Sequence, residues 1–444
     1  MRSTYSFSKV LLSGCLAVAS AFGQTSTSSP TVRFKTNVGD IDVVLTPDVA
    51  PLTVANFMSY VNKGAYNNSI FHRSVPGFII QGGGYNLVNH APVATPQSAP
   101  VKNEKNVTNA RGTIAMAKLG TDPNSATNQW FFNLAANGSN LDNQNGGFTV
   151  FGHIANNSGL AVMDNIAKQP VYNFTSPFDQ LPLQNYKGGT VQDANFLLVN
   201  SIVQLPFVTP AGVTSASTFA QSNTNGIAPG ELLTIFGTAI GPASLQTLTL
   251  DGSGVVTTAL SGTRVLFDGA AAPLLYTVAG QVSVVAPQSL AGKDRTLVVV
   301  EYQGVQTAAI SFPVAKANPG IFTLNANGSG DGAIVRPDGT AISASNPAVP
   351  GEILLLFGEG YGASTPALGD GVLVGTDLPV PVNPVTLLID GNAVPTQYAG
   401  GAPGLINGVL QVNFQVPNLA PGSHQIQLQV TDRVSATGVT LQTK

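Results

Sequence analysis

One cysteine, Cys15, and one tryptophan, Trp130, occur in 444 residues. A lone cysteine forms no intrachain disulfide. If Cys15 leaves with an N-terminal leader, thiol catalysis and thiolate metal sites go with it, and stability rests on burial. Charge is also scarce: Asp, Glu, Lys and Arg make up 9% of the chain, against about 25% in an average soluble protein. The net charge of −3 gives no electrostatic case for nucleic acid or an anionic membrane as partner. The histidines His72, His90, His153 and His424 are scattered and show no metal-ligand spacing. Gly82-Gly83-Gly84 lacks the following Lys-Ser/Thr of a phosphate loop and reads as a tight strand exit. No metal and no cofactor are expected. Hydrophobic residues, at 43%, are plentiful, as are glycine (48) and proline (30). That composition implies packed cores, many turns and a mainly β chain. The length suggests about two to four domains.

The N-terminus has the layout of a secretory signal: Arg2 and Lys9, then an apolar run Val10–Phe22 ending in the small residues Ala19, Ala21 and Gly23. The run falls short of the roughly 20 apolar residues that span a bilayer. Residues 1–23 are expected to be removed on export, leaving a periplasmic or extracellular protein without stable membrane insertion. Leu12-Ser13-Gly14-Cys15 has the outline of a lipoprotein box. That reading is less favoured, because only Val10-Leu11-Leu12 precede Ser13 as apolar residues and the apolar run continues past the cysteine.

Residues 30–205 form a first block. Val32-Arg33-Phe34-Lys35 and Ile41-Asp42-Val43 alternate around Asn37-Val38-Gly39-Asp40, which predicts a β-hairpin. Pro51 followed by Val54, Phe57, Met58 and Val61 predicts a helix, and a second is expected over 160–168. Strand-like runs occupy 69–81, 113–117, 130–134, 149–151 and 195–204. Residues 206–226, rich in Ser, Thr, Ala and Asn, read as a linker. Beyond them lies an internal duplication. Pro229-Gly230-Glu231-Leu232-Leu233 recurs as Pro350-Gly351-Glu352-Ile353-Leu354, an offset of 121, and Phe267-Asp268-Gly269 as Ile389-Asp390-Gly391, an offset of 122. Gln281-Val282 recurs as Gln411-Val412 at an offset of 130, so an insertion lies around 401–408. Two β-sandwich (Ig-like) copies are expected, over 227–318 and 319–444.

Chemistry concentrates in Phe71-His72-Arg73-Ser74-Val75-Pro76-Gly77-Phe78-Ile79-Ile80-Gln81. Arg73 and Gln81 lie an even number of residues apart, which lets them share a sheet face. An arginine among apolar neighbours must be paired or put to use. Further along stand Arg111-Gly112-Thr113-Ile114-Ala115-Met116-Ala117-Lys118, Asn128-Gln129-Trp130-Phe131-Phe132-Asn133, Leu141-Asp142 and Phe148-Thr149-Val150-Phe151-Gly152. In this order and spacing these blocks resemble the cyclophilin family, in particular exported bacterial cyclophilins, over about 30–205.

The resemblance implies an eight-stranded antiparallel β-barrel capped by two helices, and peptidyl-prolyl cis-trans isomerase activity on proline-containing peptides or unfolded exported proteins. It places Arg73 at the catalytic arginine and Gln81 at the glutamine that steadies it. Phe78, Ile79, Phe131 and Leu141 fall at the proline pocket, and Ala117 and Lys118 where backbone hydrogen bonds are offered to substrate. Phe148 stands where a histidine often lines the pocket, and Asn140 where many members carry a cyclosporin-binding tryptophan, so weak cyclosporin binding is expected. His72 reads as structural and Trp130 as core-facing. On pattern alone, Phe78 and Phe131 read as ordinary core. The C-terminal copies resemble paired sandwich domains of exported acidobacterial proteins, a resemblance that brings no function. The alternative to an enzyme is a surface binding or adhesion protein whose barrel recognises proline segments, and a carbohydrate-binding role for the sandwiches is a third reading.

Overall fold

The computed structural model describes residues 29–105 and 107–444. The expected signal segment 1–23, with Cys15, lies outside the described residues. Two compact units divide between Leu205 and Pro206.

In the first unit, β1 (Thr31–Thr36) and β2 (Gly39–Leu45) form the expected hairpin, with Val32 opposite Val43 and Phe34 opposite Ile41. These four side chains are fully buried, while the alternate residues Arg33 and Asp42 pair on the other face at 2.7 Å. Helix α1 (Pro51–Asn62) begins at Pro51 and turns Val54, Phe57 and Val61 inward. Its Ala50 N-cap offers no side-chain acceptor; instead Glu104 accepts from the Leu52 and Thr53 amides at 3.1 and 2.8 Å. The carboxylate thereby serves orphan donors at the positive end of the helix dipole.

The strand-like run 69–81 is broken into β3 (Ser69–Ile70), β4 (Arg73–Val75) and β5 (Ile79–Gly82), because Pro76-Gly77 makes a turn with Gly77 at φ 75°. A hairpin follows, β6 (Tyr85–Val88) with β7 (Ala91–Ala94). Next come β8 (Thr113–Met116), β9 (Trp130–Asn133), the short helix α2 (Gly138–Leu141) and β10 (Val150–Ile154). Helix α3 (Asn157–Ala167) starts earlier than expected because Asn156 caps it, accepting from the Gly159 amide at 2.8 Å. The small ladder β11 (Val171–Tyr172) and β12 (Leu181–Pro182) precedes β13 (Leu198–Gln204).

The sheet runs β4-β5-β9-β8-β10-β2-β1-β13-β3, with β6 and β7 added beyond β3. Strands β3 and β4 are one extended run joined by Phe71-His72. Its first part pairs with β13 (Leu198 opposite Ile70) and its second with β5 (Arg73 opposite Gln81). The path therefore closes on itself as an eight-stranded antiparallel barrel, which leaves no open edge around the ring. Phe34, Phe57, Phe71, Trp130, Phe132 and Phe151 fill its core. Trp130 meets Phe34 and Phe71 edge-to-face at centroid distances of 5.1 and 5.6 Å. The glycine run makes room for it: a Cβ on Gly82 would stand 2.5 Å from the indole.

The second unit is β-rich throughout, and the expected linker 206–226 is not one. Phe207–Ser215 is a strand paired with Leu232–Thr238. Its Ser/Thr/Ala composition conceals the buried Val208 and Val213, and an irregularity between them breaks the period-2 pattern. Sheets from 207–313 enclose Leu233, Ile235, Val265, Phe267, Val282 and Val284. Leu354, Leu356, Leu387, Ile389, Val412 and Phe414 occupy a separate core at the duplication's own offsets. Gly320–Ile321 joins the later sheet by pairing with Gly358–Glu359. No described helix is long and apolar enough to cross a membrane.

Candidate active site

Register places one row of residues across five barrel strands. Arg73 is opposite Gln81, Gln81 opposite Phe131, Phe131 opposite Ala115, and Ala115 opposite Val150. Directly paired residues share a face, so all five point the same way. The offset row Ser74-Ile80-Phe132-Ile114 points the other way, and Ile80, Phe132 and Ile114 are fully buried in the barrel core.

On the outer face a separate apolar cluster forms. Ile79, Ala115, Phe131, Leu141 and Val150 are its buried members, and Val75, Phe78, Ala117 and Phe148 are half-buried around them. Phe131 and Phe148 meet edge-to-face with centroids 5.7 Å apart. Lys118 turns its Nζ to the Gly147 carbonyl at 2.7 Å, also donates to the Asn145 carbonyl, and lies 4.8 Å from the centre of the Phe148 ring. Its pKa is lowered by partial burial. The lysine side chain thus pins the turn that carries Phe148. Ala117 gives its N–H to the Gln129 carbonyl at 2.9 Å, whereas no described residue accepts from the Lys118 N–H.

Arg73 stands half-buried at the end of the row. Its Nε donates to Gln180 Oε1 at 2.8 Å, and Nη1 approaches Gln81 Oε1 at 3.4 Å. Gln81 in turn donates to Gln129 Oε1 at 2.8 Å. The groups around the guanidinium are neutral amides, and no described carboxylate forms an ion pair with it. Its charge is not cancelled by an ion pair among the described residues. His72, adjacent in sequence, is buried against Tyr85 with ring centroids 5.2 Å apart. Burial pushes its pKa down to about 4, against a hydrogen bond with Gln129 that ties it to the Gln81–Gln129 network, so it is neutral at physiological pH.

The structure brings together the nine residues singled out from sequence: Arg73 and Gln81 at one end, Phe78, Ile79, Phe131, Leu141 and Phe148 around the apolar cluster, and Ala117 and Lys118 along its edge. It also reveals participants that sequence reasoning missed. Gln129 was detectable, since it lies two residues from Phe131 and shares its face. A buried amide network was not. Asn133 Nδ2 donates to Asn109 Oδ1 at 3.1 Å and to Thr113 Oγ1 at 2.9 Å, and Asn137 Nδ2 donates to Asn133 Oδ1 at 2.8 Å and to the Phe78 carbonyl at 2.7 Å. Asn109 reaches Asp142 Oδ1 at 2.9 Å and the Phe148 carbonyl at 3.2 Å. These bonds hold Phe78, Phe148 and the start of the Leu141-bearing turn in one frame. Among the described residues no three His, Cys, Asp or Glu side chains gather as a metal site. The arrangement supplies an apolar cluster on the outer face, half-exposed at Val75, Phe78, Ala117 and Phe148, with the Arg73 cation held beside it.

Residues 31–187 match the family model described as "Cyclophilin type peptidyl-prolyl cis-trans isomerase/CLD". A peptidyl-prolyl cis-trans isomerase of Acinetobacter baylyi is 40% identical over 168 residues, which covers 37% of this chain and 84% of the relative. Peptidyl-prolyl cis-trans isomerase A of Dickeya dadantii is 39% identical over 161 residues, 35% of this chain and 80% of the relative. Peptidyl-prolyl cis-trans isomerase B of Escherichia coli is 43% identical over 143 residues, 30% of this chain and 82% of the relative.

Proposed function

The chain belongs to the cyclophilin-type peptidyl-prolyl cis-trans isomerases, and from that membership we propose that Arg73 is its catalytic cation and that its substrates are X-Pro bonds of exported polypeptides. Rotation about an amide must overcome about 18–20 kcal/mol, because it breaks resonance. At the top of that barrier the prolyl nitrogen regains a lone pair. A donor that meets this lone pair, and is less well used in either planar state, lowers the barrier without making or breaking a covalent bond. In this reading the proline ring enters among Phe131, Phe148, Leu141 and Ile79. Arg73 then donates to the twisted amide while Gln81 steadies it and contacts the substrate backbone. The backbone at Ala117 and Lys118 receives the residues before proline. An oriented donor of this kind is worth about 2.7–4 kcal/mol, or a factor of 10²–10³.

One observation carries the reading: the five-strand row puts a guanidinium without a carboxylate partner among the described residues next to an apolar cluster with the half-exposed rings Phe78 and Phe148, on the outer face of the barrel. The test is titration of an X-Pro tetrapeptide into the isotope-labelled full chain. Shifts are expected at Arg73, Gln81, Ala117, Phe131 and Leu141. Shifts confined to another surface would overturn the assignment.

Export is proposed from Arg2, Lys9 and the apolar run 10–22. N-terminal sequencing of protein from fractionated cells should find a chain beginning after Ala21 or Gly23 outside the cytoplasm. An intact Met1 in the cytoplasm would contradict it. Asn140 lies exposed next to Leu141 in place of a ring, and we expect cyclosporin to bind weakly.

A further inference from the structure

We propose that Gln180, on the loop between β11 and β12, is a positioning residue that aims the Arg73 guanidinium toward Gln81 and the apolar cluster of the outer face. This rests on the assignment of Arg73 to the reacting amide and adds a requirement to it. The loop is firmly seated. Leu181 and Leu183 are buried with Ile70 and Phe196, and the Phe178 ring meets Tyr85 edge-to-face at 5.0 Å. Phe174 and Phe178 close the loop by a backbone bond of 3.0 Å. The Gln180 carbonyl accepts from the Ser74 amide at 2.8 Å, so its backbone is tied to β4 one residue from Arg73. Its side chain then takes the Nε–H at 2.8 Å.

That bond decides which edge of the guanidinium faces outward. Engaging Nε on the loop side commits the far edge to the Gln81 side. The Gln81 contact, at 3.4 Å, is too long to hold the group by itself. The acceptor's neutrality matters as much as its place. A carboxylate at 180 would hold the same edge and cancel much of the charge that the twisted amide is to feel. Gln180 orients the cation without pairing it with a negative charge. A misplacement of about 1 Å in a catalytic group costs on the order of 10²-fold in rate, so an arginine on a long flexible stem needs such a brace.

The experiment compares full-length wild type with Gln180→Met, which keeps the shape and removes the acceptor, in a protease-coupled isomerisation assay. The expected result is a fall in kcat of about tenfold or more with KM nearly unchanged, and faster exchange of the Arg73 Nε–H by NMR. Gln180→Glu keeps the acceptor and should retain the Nε–H signature while kcat still falls. In an Arg73→Ala background, Gln180→Met should have no further effect on rate. A Gln180→Met enzyme with wild-type kcat and an inactive Arg73→Ala enzyme would overturn this inference and leave Arg73 in place. Equal losses from Gln180→Met with and without Arg73 would also overturn it. An Arg73→Ala enzyme as fast as wild type would instead remove the underlying assignment. The Trp130 fluorescence melt monitors folding of each variant.

Discussion

Replacing Asn133 by leucine tests whether the buried amide network holds the barrel's outer face together. The side chain is fully buried and makes three hydrogen bonds, to Asn109, Thr113 and Asn137. Leucine keeps the fork at Cγ and is larger, so no cavity is left; the loss of the polar contacts sets a lower bound, to which overpacking adds. Three bonds at about 1 kcal/mol each, plus about 1 kcal/mol or more for stranding Asn109 Oδ1, give a destabilisation of about 4 kcal/mol. For a unit of about 175 residues, each kcal/mol moves Tm by roughly 2–4 °C, so the barrel midpoint should fall by about 8–16 °C. Trp130 is the only tryptophan in the chain and is fully buried in the barrel core. Its fluorescence therefore reports the barrel alone, even in the full chain. A midpoint within about 2 °C of wild type would refute the reasoning.

Two further predictions concern other parts of the chain. In the second unit Glu231 and Glu359 are both fully buried. Glu231 accepts from the Ala228 amide and from Asn318 Nδ2, both at 2.7 Å, while Glu359 accepts from Ser215, Ser217 and Leu232. Burial, reinforced by Glu359, raises the Glu231 pKa well above its ordinary 4.5, and burial raises that of Glu359 as well. An acid with a raised folded pKa binds more protons folded than unfolded. Its contribution is most favourable below about 4.5 and is lost as pH climbs to the folded value. After correction for intrinsic rates, amide exchange at Ser217 and Leu232 should show easier opening at pH 8 than at pH 5. Glu231→Gln, which mimics the protonated form, should flatten that slope, and an unchanged slope would contradict the assignment. Asn140→Trp adds a ring beside Leu141 and should tighten cyclosporin binding by about tenfold or more, a gain of about 1.4 kcal/mol. Calorimetry showing equal affinity would refute it.

Much of the barrel was legible because its residues obey local periods. The alternation in 32–35 and 41–43 fixes the first hairpin, and Val54, Phe57 and Val61 mark the buried stripe of α1. The duplication was legible because repeated turn motifs keep their spacing, and the core residues follow the same offsets. Residues 206–226 were misread. A strand with threonine, serine and alanine on it looks like a linker when an irregularity removes the alternation. The even spacing of Arg73 and Gln81 pointed to a shared face, but only the turn at Pro76-Gly77 makes them direct partners. The outer-face cluster could not be separated from ordinary core by pattern, since Phe131 and Phe132 are equally apolar and differ only in the face they take. Gln180 was invisible for a topological reason. It sits 107 residues from Arg73 in a loop whose sequence carries no local signal. The amides of the Asn109–Asn133–Asn137 network look like turn formers in an asparagine-rich chain, and only the fold reveals that they are buried.

The measurement closest to the central claim is the kcat/KM of the full chain on an X-Pro tetrapeptide, with and without Arg73→Ala, at a temperature where Trp130 fluorescence shows both folded. If the guanidinium stabilises the twisted amide, the variant loses about 10²–10³-fold and Phe131 stays buried. Should Arg73→Ala turn over substrate within about twofold of wild type, no donor of the strength invoked here acts from that position.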